Sequence, residues 1–127
     1  MPALSLAYVG LGVTEVAAWA RLAIDVLQLE EDPADPHGAR MLRLDQRSWR
    51  IGVHPDERND LIYVGFEAPD VTAAQRIADV FAAAGSVVRT MSREMTASRR
   101  VQGGFMFEDP DGLDIEVVFG HDGHARG

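Results

Sequence analysis

The feature that most constrains this chain is an internal repeat. The segment YVGLGVTEVAAWARLA (residues 8–23) aligns with YVGFEAPDVTAAQRIA (residues 63–78) at an offset of 55. The segments MLRLDQRSWRIGV (residues 41–53) and FMFEDPDGLDIEV (residues 105–117) correspond at an offset of 64. The change of offset predicts nine additional residues in the second copy, around residues 92–100. A repeat of this length predicts one supersecondary unit used twice.

Each copy has the pattern of a strand, a helix and then further strands. A mostly apolar strand is followed by a polar start signal and by apolar residues at helical spacing, and Gly85 is placed to end the second helix. Two tight turns, at residues 45–48 and 109–112, each separate a pair of strands. The pattern predicts an α+β fold of two tandem βαβββ units, covering residues 4–54 and 60–120, with a tail at residues 121–127. The units form one domain, a half-open, curled mixed sheet with its helices outside.

Strand parity divides the side chains of this sheet between two faces. Tyr8 and Tyr63 have the parity of the concave face, where a small ligand would bind, and Arg50 falls on the same side. The alternation in GLDIEVVFG (residues 112–120) places Glu116 on one face and its neighbours on the other. Trp49 is expected in the helix-facing layer.

Composition excludes several classes of function. The 127 residues include no cysteine, which excludes disulfides, thiolate metal sites and thiol nucleophiles. The net charge of −8 argues against binding of nucleic-acid backbones. No export signal and no apolar run of membrane-spanning length occurs, so we expect a cytoplasmic protein without a membrane partner.

Other motifs give weak signals. VGLG (residues 9–12) lacks the third glycine of a dinucleotide-binding turn. The histidines are expected at the surface, because no ligand spacing links them. The basic segment at residues 89–100 is expected to be a solvated loop.

The repeat and several runs carry a resemblance to a known family. The runs LAYVGLGVTEVAAWARLAIDVLQL, LRLDQRSWRIGV, NDLIYVGFEAPDV and SRRVQGGFMFEDPDGLDIEVVFG resemble the vicinal oxygen chelate superfamily. Within it, they are most similar to the N-terminal domain of type I extradiol dioxygenases of the dihydroxybiphenyl dioxygenase kind. The resemblance covers residues 4–120 and matches in both order and spacing.

The resemblance implies where a metal would lie. The ligand-equivalent positions of this superfamily correspond here to Tyr8, Gly52, Tyr63 and Glu116. The catalytic domain of extradiol dioxygenases uses two histidines, at the positions of Tyr8 and Tyr63, and a glutamate. Only the glutamate is present, so we expect no metal in this chain, and Fe(II) is implied for a partner catalytic domain. Glu116 is expected to bond to Tyr8 or Tyr63, or to pair with Arg50.

Three functions remain open at this point. The first is the non-metal half of an extradiol ring-cleavage dioxygenase, with a structural or oligomerisation role, as a homodimer or beside a second domain of the same fold. The second is a stand-alone, metal-free binding protein of the bleomycin-resistance type, with a small aromatic ligand facing Tyr8, Arg50, Tyr63 and Glu116. The third is a glyoxalase-like metalloenzyme with unusual ligands.

Overall fold

A computed structural model describes residues 4–31, 38–44 and 49–121. The predicted turn at residues 45–48, His37 and His124 lie outside the described residues. The helices and strands are β1 (Ser5–Val13), α1 (Val16–Asp25), β2 (Glu30–Glu31), β3 (Arg40–Arg43), β4 (Ile51–Pro55), β5 (Asp60–Glu67), α2 (Val71–Ala83), β6 (Arg89–Thr90), α3 (Arg93–Arg99), β7 (Gly103–Glu108) and β8 (Asp114–Phe119).

The chain divides into two compact units. Of the described residues, those between 8 and 62 form the N-terminal unit, and residues 63–121 together with residues 4–7 form the C-terminal unit. In the N-terminal unit the strand order is β2-β3-β4-β1. Strand β4 is parallel to β1 and antiparallel to β3, which in turn is antiparallel to β2.

The C-terminal unit repeats this topology. Its strand order is β5-β8-β7-β6, with β8 parallel to β5 and antiparallel to β7, and β6 antiparallel to β7. Each unit therefore pairs its first strand with its last strand in parallel. The predicted α+β class and the two βαβββ units are confirmed.

Helix α1 covers one face of the N-terminal unit with small residues. Ala20 and Ala23 are buried, and Ala23 packs with Val13, Leu42 and Val53. Trp19 and Leu27 are apolar residues at the helical spacing of this face, but they are 45% and 62% exposed. Leu27 follows the end of the helix at Asp25, so helical spacing no longer directs its side chain.

Helix α2 begins and ends with local signals that the sequence contains. The Asp70 carboxylate caps the helix by accepting a hydrogen bond from the N–H of Ala73 at 2.8 Å. At the other end Gly85 has a φ of +103°, and the N–H of Ser86 donates to the carbonyl of Phe81. This Schellman motif confirms the predicted glycine cap. The buried face of α2 packs on β7 and β8 through Ala73, Ala74, Ile77, Phe107 and Val117.

The additional residues predicted in the second copy form α3. This helix occupies Arg93–Arg99, begins at a Ser92 cap and ends at Arg100 in the left-handed conformation. Its position between β6 and β7 explains the change of repeat offset. None of the helices in the described residues is long and apolar enough to cross a membrane.

Candidate functional site

Glu116 is fully buried in the middle of β8. It faces Gly65 of β5 on one side and Met106 of β7 on the other. Its neighbour Val117 packs against α2, so strand alternation directs Glu116 to the opposite face of the sheet. The exposed fraction of Glu116 is 0%, and a carboxylate without water needs partners within the protein.

Arg99 of α3 is one such partner, and it binds the carboxylate with two nitrogens. Its Nη2 lies 2.9 Å from Oε2 of Glu116, and its Nε lies 3.0 Å from Oε1 and 3.2 Å from Oε2. Arg99 is itself only 8% exposed. The prediction that this basic segment is a solvated loop is therefore wrong at Arg99. The guanidinium matches the two carboxylate oxygens in shape and charge, which makes this a strong form of ion pair.

Tyr63 also contacts the guanidinium of Arg99. It lies in β5, is 3% exposed, and its ring centroid is 3.8 Å from the guanidinium carbon of Arg99. This distance is well within the range of a cation–π interaction. The guanidinium of Arg99 thus contacts an aromatic face and a carboxylate at once.

One sequence signal could have indicated Arg99. Met95 and Arg99 are four residues apart on α3, so they share a helix face, and Met95 is half-buried. An apolar residue at this spacing indicates that Arg99 faces inward. The sequence-based prediction considered only the charge of this segment, which favours a solvent position.

Tyr8 occupies the equivalent place in the N-terminal unit and has an aromatic partner. Its ring is stacked on Trp49 with a centroid distance of 4.3 Å and an interplanar angle of 20°. Trp49 was expected in the helix-facing layer, where Ile51 and Val53 do pack. Trp49 is fully buried, as expected of a core tryptophan, but its ring stacks on Tyr8, because Trp49 precedes β4, where strand parity does not apply. Both rings are almost fully buried.

The two other predicted positions are less distinctive. Gly52 is buried in β4 and lies opposite Gly10 of β1. Arg50 is half-buried, and its carbonyl accepts a hydrogen bond from the N–H of Val9 at 2.9 Å. The predicted pairing of Arg50 with a carboxylate stays a prediction.

The residues at the metal-equivalent positions do not fit a metal ion. An iron(II) site of this type needs three donor side chains on one face. Here both oxygens of Glu116 accept hydrogen bonds from a cation, and Tyr63 presents its ring face to that cation. Across residues 4–31, 38–44 and 49–121, no three His, Asp or Glu side chains form a group that could hold a metal.

Acidic groups in the N-terminal unit are also engaged by arginines. Hydrogen bonds from the side chain and the backbone N–H of Arg58 lower the pKa of Asp56 to about 2. A side-chain hydrogen bond from Arg40 lowers the pKa of Glu31. These pairs lie at the surface and indicate no catalytic group.

A groove of about 570 Å³ lies elsewhere in the C-terminal unit. It is formed at the end of α2 and the turn after β7, and its lining includes Gly85, Arg89, Glu108 and Asp109. None of the predicted ligand-facing residues lines it. The groove therefore does not support the predicted ligand site.

Comparison with known proteins agrees with this architecture. Residues 6–55 match the family model described as Dihydroxybiphenyl dioxygenase BphC D1. Biphenyl-2,3-diol 1,2-dioxygenase of Paraburkholderia xenovorans is 36% identical over 116 residues, which is 91% of this chain and 39% of that protein. The iron-dependent extradiol dioxygenase of Rhodococcus jostii is 31% identical over 91% of this chain and 39% of that protein.

A solved structure shows the same fold. The crystal structure of BphC, a halotolerant catechol dioxygenase, superposes with a TM-score of 0.90 at 35% identity, covering 94% of this chain and 40% of that one. The fold defines a domain of the vicinal oxygen chelate superfamily. Within that superfamily, the chain is similar to the N-terminal domain of extradiol dioxygenases. It spans about two fifths of the length of these relatives.

Proposed function

We propose that this chain is the non-metal half of an extradiol ring-cleavage dioxygenase that acts in aromatic degradation. Its role is structural: it packs against a partner domain of the same fold or against a second copy. Fe(II) and the cleavage of the catechol ring belong to the partner. A cytoplasmic location is part of this proposal.

The observation that carries the proposal is the engagement of Glu116 by Arg99. Glu116 is the carboxylate that an extradiol site would need, and a guanidinium binds both of its oxygens. Tyr8 and Tyr63 occupy the positions that the resemblance assigns to histidines, and Tyr8 stacks on Trp49 whereas Tyr63 contacts the guanidinium of Arg99. A neutral phenol, with an ordinary pKa of about 10, is a poor replacement for imidazole at neutral pH.

The relatives support the division of roles. One of them is named as iron-dependent, and about three fifths of its length lies outside the matched region. A chain that matches only two fifths of such proteins leaves room for a separate iron-binding domain. The predicted homodimer is the alternative arrangement within the same proposal.

The test is a ring-cleavage assay on the purified chain. The chain is incubated with Fe(II), oxygen and biphenyl-2,3-diol, and the yellow ring-fission product is followed by absorbance. We expect no turnover above that of free Fe(II). Turnover that is lost in Glu116→Gln would contradict the proposal.

Two further measurements test the structural role. Reading the gene beyond codon 127 shows whether a histidine-bearing domain follows, and analytical ultracentrifugation of this chain shows whether it forms a dimer. A chain that is monomeric and has no such domain would refute the proposal. Catechol binding that Tyr63→Ala weakens would instead support the metal-free binding protein of the bleomycin-resistance type.

A further inference from the structure

The surroundings of the Arg99 head group are those of a guanidinium-recognition site. One carboxylate accepts from Nε and Nη2 of the guanidinium, and an aromatic ring lies 3.8 Å from its central carbon. A planar fork of donors fits both features, whereas the compact ammonium of a lysine fits neither as well. We call the Glu116 carboxylate and the Tyr63 ring the two walls of this site. Both are almost fully buried, and the low dielectric strengthens their interaction with a cation.

Both walls belong to the sheet, whereas Arg99 belongs to the inserted helix. Tyr63 is in β5 and Glu116 is in β8, and these strands pair directly, with Gly65 opposite Glu116. Arg99 is the last residue of α3, which precedes β7. The backbone pairing that positions the walls therefore does not depend on the Arg99 side chain.

We propose that Tyr63 and Glu116 form a binding site for a guanidinium group, which Arg99 fills from within the chain. This built-in cation replaces the metal charge at Glu116 and excludes a divalent ion from the same carboxylate. The exclusion follows from charge, since a metal at Glu116 would lie within a few ångströms of the guanidinium. The inference deepens the proposed function, since both rest on the engagement of Glu116 by Arg99, but the rescue experiment below tests only this position.

The test is chemical rescue of an emptied site. In Arg99→Ala the walls remain and the head group is missing, so we expect a loss of roughly 10–20 °C in Tm. Methylguanidinium chloride, added at 0–50 mM, is expected to raise the Tm of this variant by several degrees, and the rise should saturate as a binding site fills. Equal concentrations of sodium chloride control for ionic strength and are expected to give no such rise.

Two variants provide matched controls. Arg93→Ala removes an exposed arginine from the same helix, and its Tm should not respond to methylguanidinium. The double variant Arg99→Ala/Glu116→Gln lacks the carboxylate wall, so rescue should disappear. Rescue that persists in this double variant, or that sodium chloride reproduces, would overturn the proposal.

A second readout covers the case in which Arg99→Ala does not fold alone. Its yield of folded protein after dialysis from urea is measured with and without methylguanidinium, and the proposal requires a higher yield with it. The metal exclusion is tested by calorimetric titration of the wild-type chain with Mn(II). Mn(II) binding that Glu116→Gln abolishes, with Arg99 in place, would refute the exclusion.

Discussion

The buried pair of Arg99 and Glu116 makes a quantitative prediction about stability. Replacing Arg99 with methionine keeps a long, flexible side chain but removes the charge. Glu116, at 0% exposure, would then lose its bidentate partner. Breaking one side of a buried ion pair costs about 3–5 kcal/mol, because the remaining charge stays desolvated.

The opposite single substitution is expected to cost less. Glu116→Gln keeps a carbonyl oxygen that can accept one hydrogen bond from Arg99, and the guanidinium keeps its contact with Tyr63. A loss of about 2 kcal/mol follows if roughly half of the pair energy remains. The double variant Arg99→Met/Glu116→Gln carries no buried charge at this position. It should be more stable than the sum of the single losses predicts, by about 1–3 kcal/mol.

The assay is urea unfolding of all four proteins, followed by far-UV circular dichroism. The free energies of unfolding give the coupling energy, provided that the dependence on urea has the same slope in each protein. Losses that add to within about 0.5 kcal/mol would show that the two side chains are not coupled, and would refute the reasoning.

Three further predictions concern other positions. Trp49→Ala removes the ring stacked on Tyr8 and should lower the free energy of unfolding by about 3–5 kcal/mol, whereas Trp19→Ala, at a 45% exposed position, should cost less than about 1.5 kcal/mol in the same urea titration. Gly104→Ala would bring a Cβ within 2.7 Å of a backbone oxygen in the neighbouring strand, so its Tm should fall in a thermal scan, and an unchanged Tm would contradict the close packing. The pKa of Asp56, about 2, lies below its ordinary value of 3.8, so its contribution to stability is present above pH 4 and is lost as the pH falls from about 4 to about 2. An NMR titration should find this pKa directly, and Asp56→Asn should remove that part of the pH dependence.

The fold was largely predictable because its signals are periodic. Two copies of one pattern, each with a helix between strands, predicted the two units, and the structure shows that both have the same strand topology. The two ends of α2 were also predictable, because the hydrogen bonds at Asp70 and Gly85 join residues that are only a few positions apart in the sequence.

The site was predictable only in part. The repeat paired Tyr8 with Tyr63 and Gly52 with Glu116, and the family resemblance implied that these are ligand-equivalent positions. The structure places Tyr63 and Glu116 within reach of a single guanidinium. The burial of Trp49 was predicted correctly, but its stacking on Tyr8 was not predicted, because Trp49 lies just outside a strand, where alternation does not fix the direction of the side chain. Arg99 was missed because a charged residue in a polar segment is normally solvated.

The sequence by itself determined two βαβββ units, because local spacing and repetition act within single strands and helices. The family resemblance added that Glu116 is a lone carboxylate at a ligand-equivalent position. Only the tertiary structure decided what neutralises that carboxylate. Arg99 and Glu116 are 17 residues apart and belong to α3 and β8, and their pairing depends on how the inserted helix folds back on the sheet. No periodic pattern predicts such a contact, because the contact depends on tertiary packing and on the free-energy cost of burying an unpaired charge.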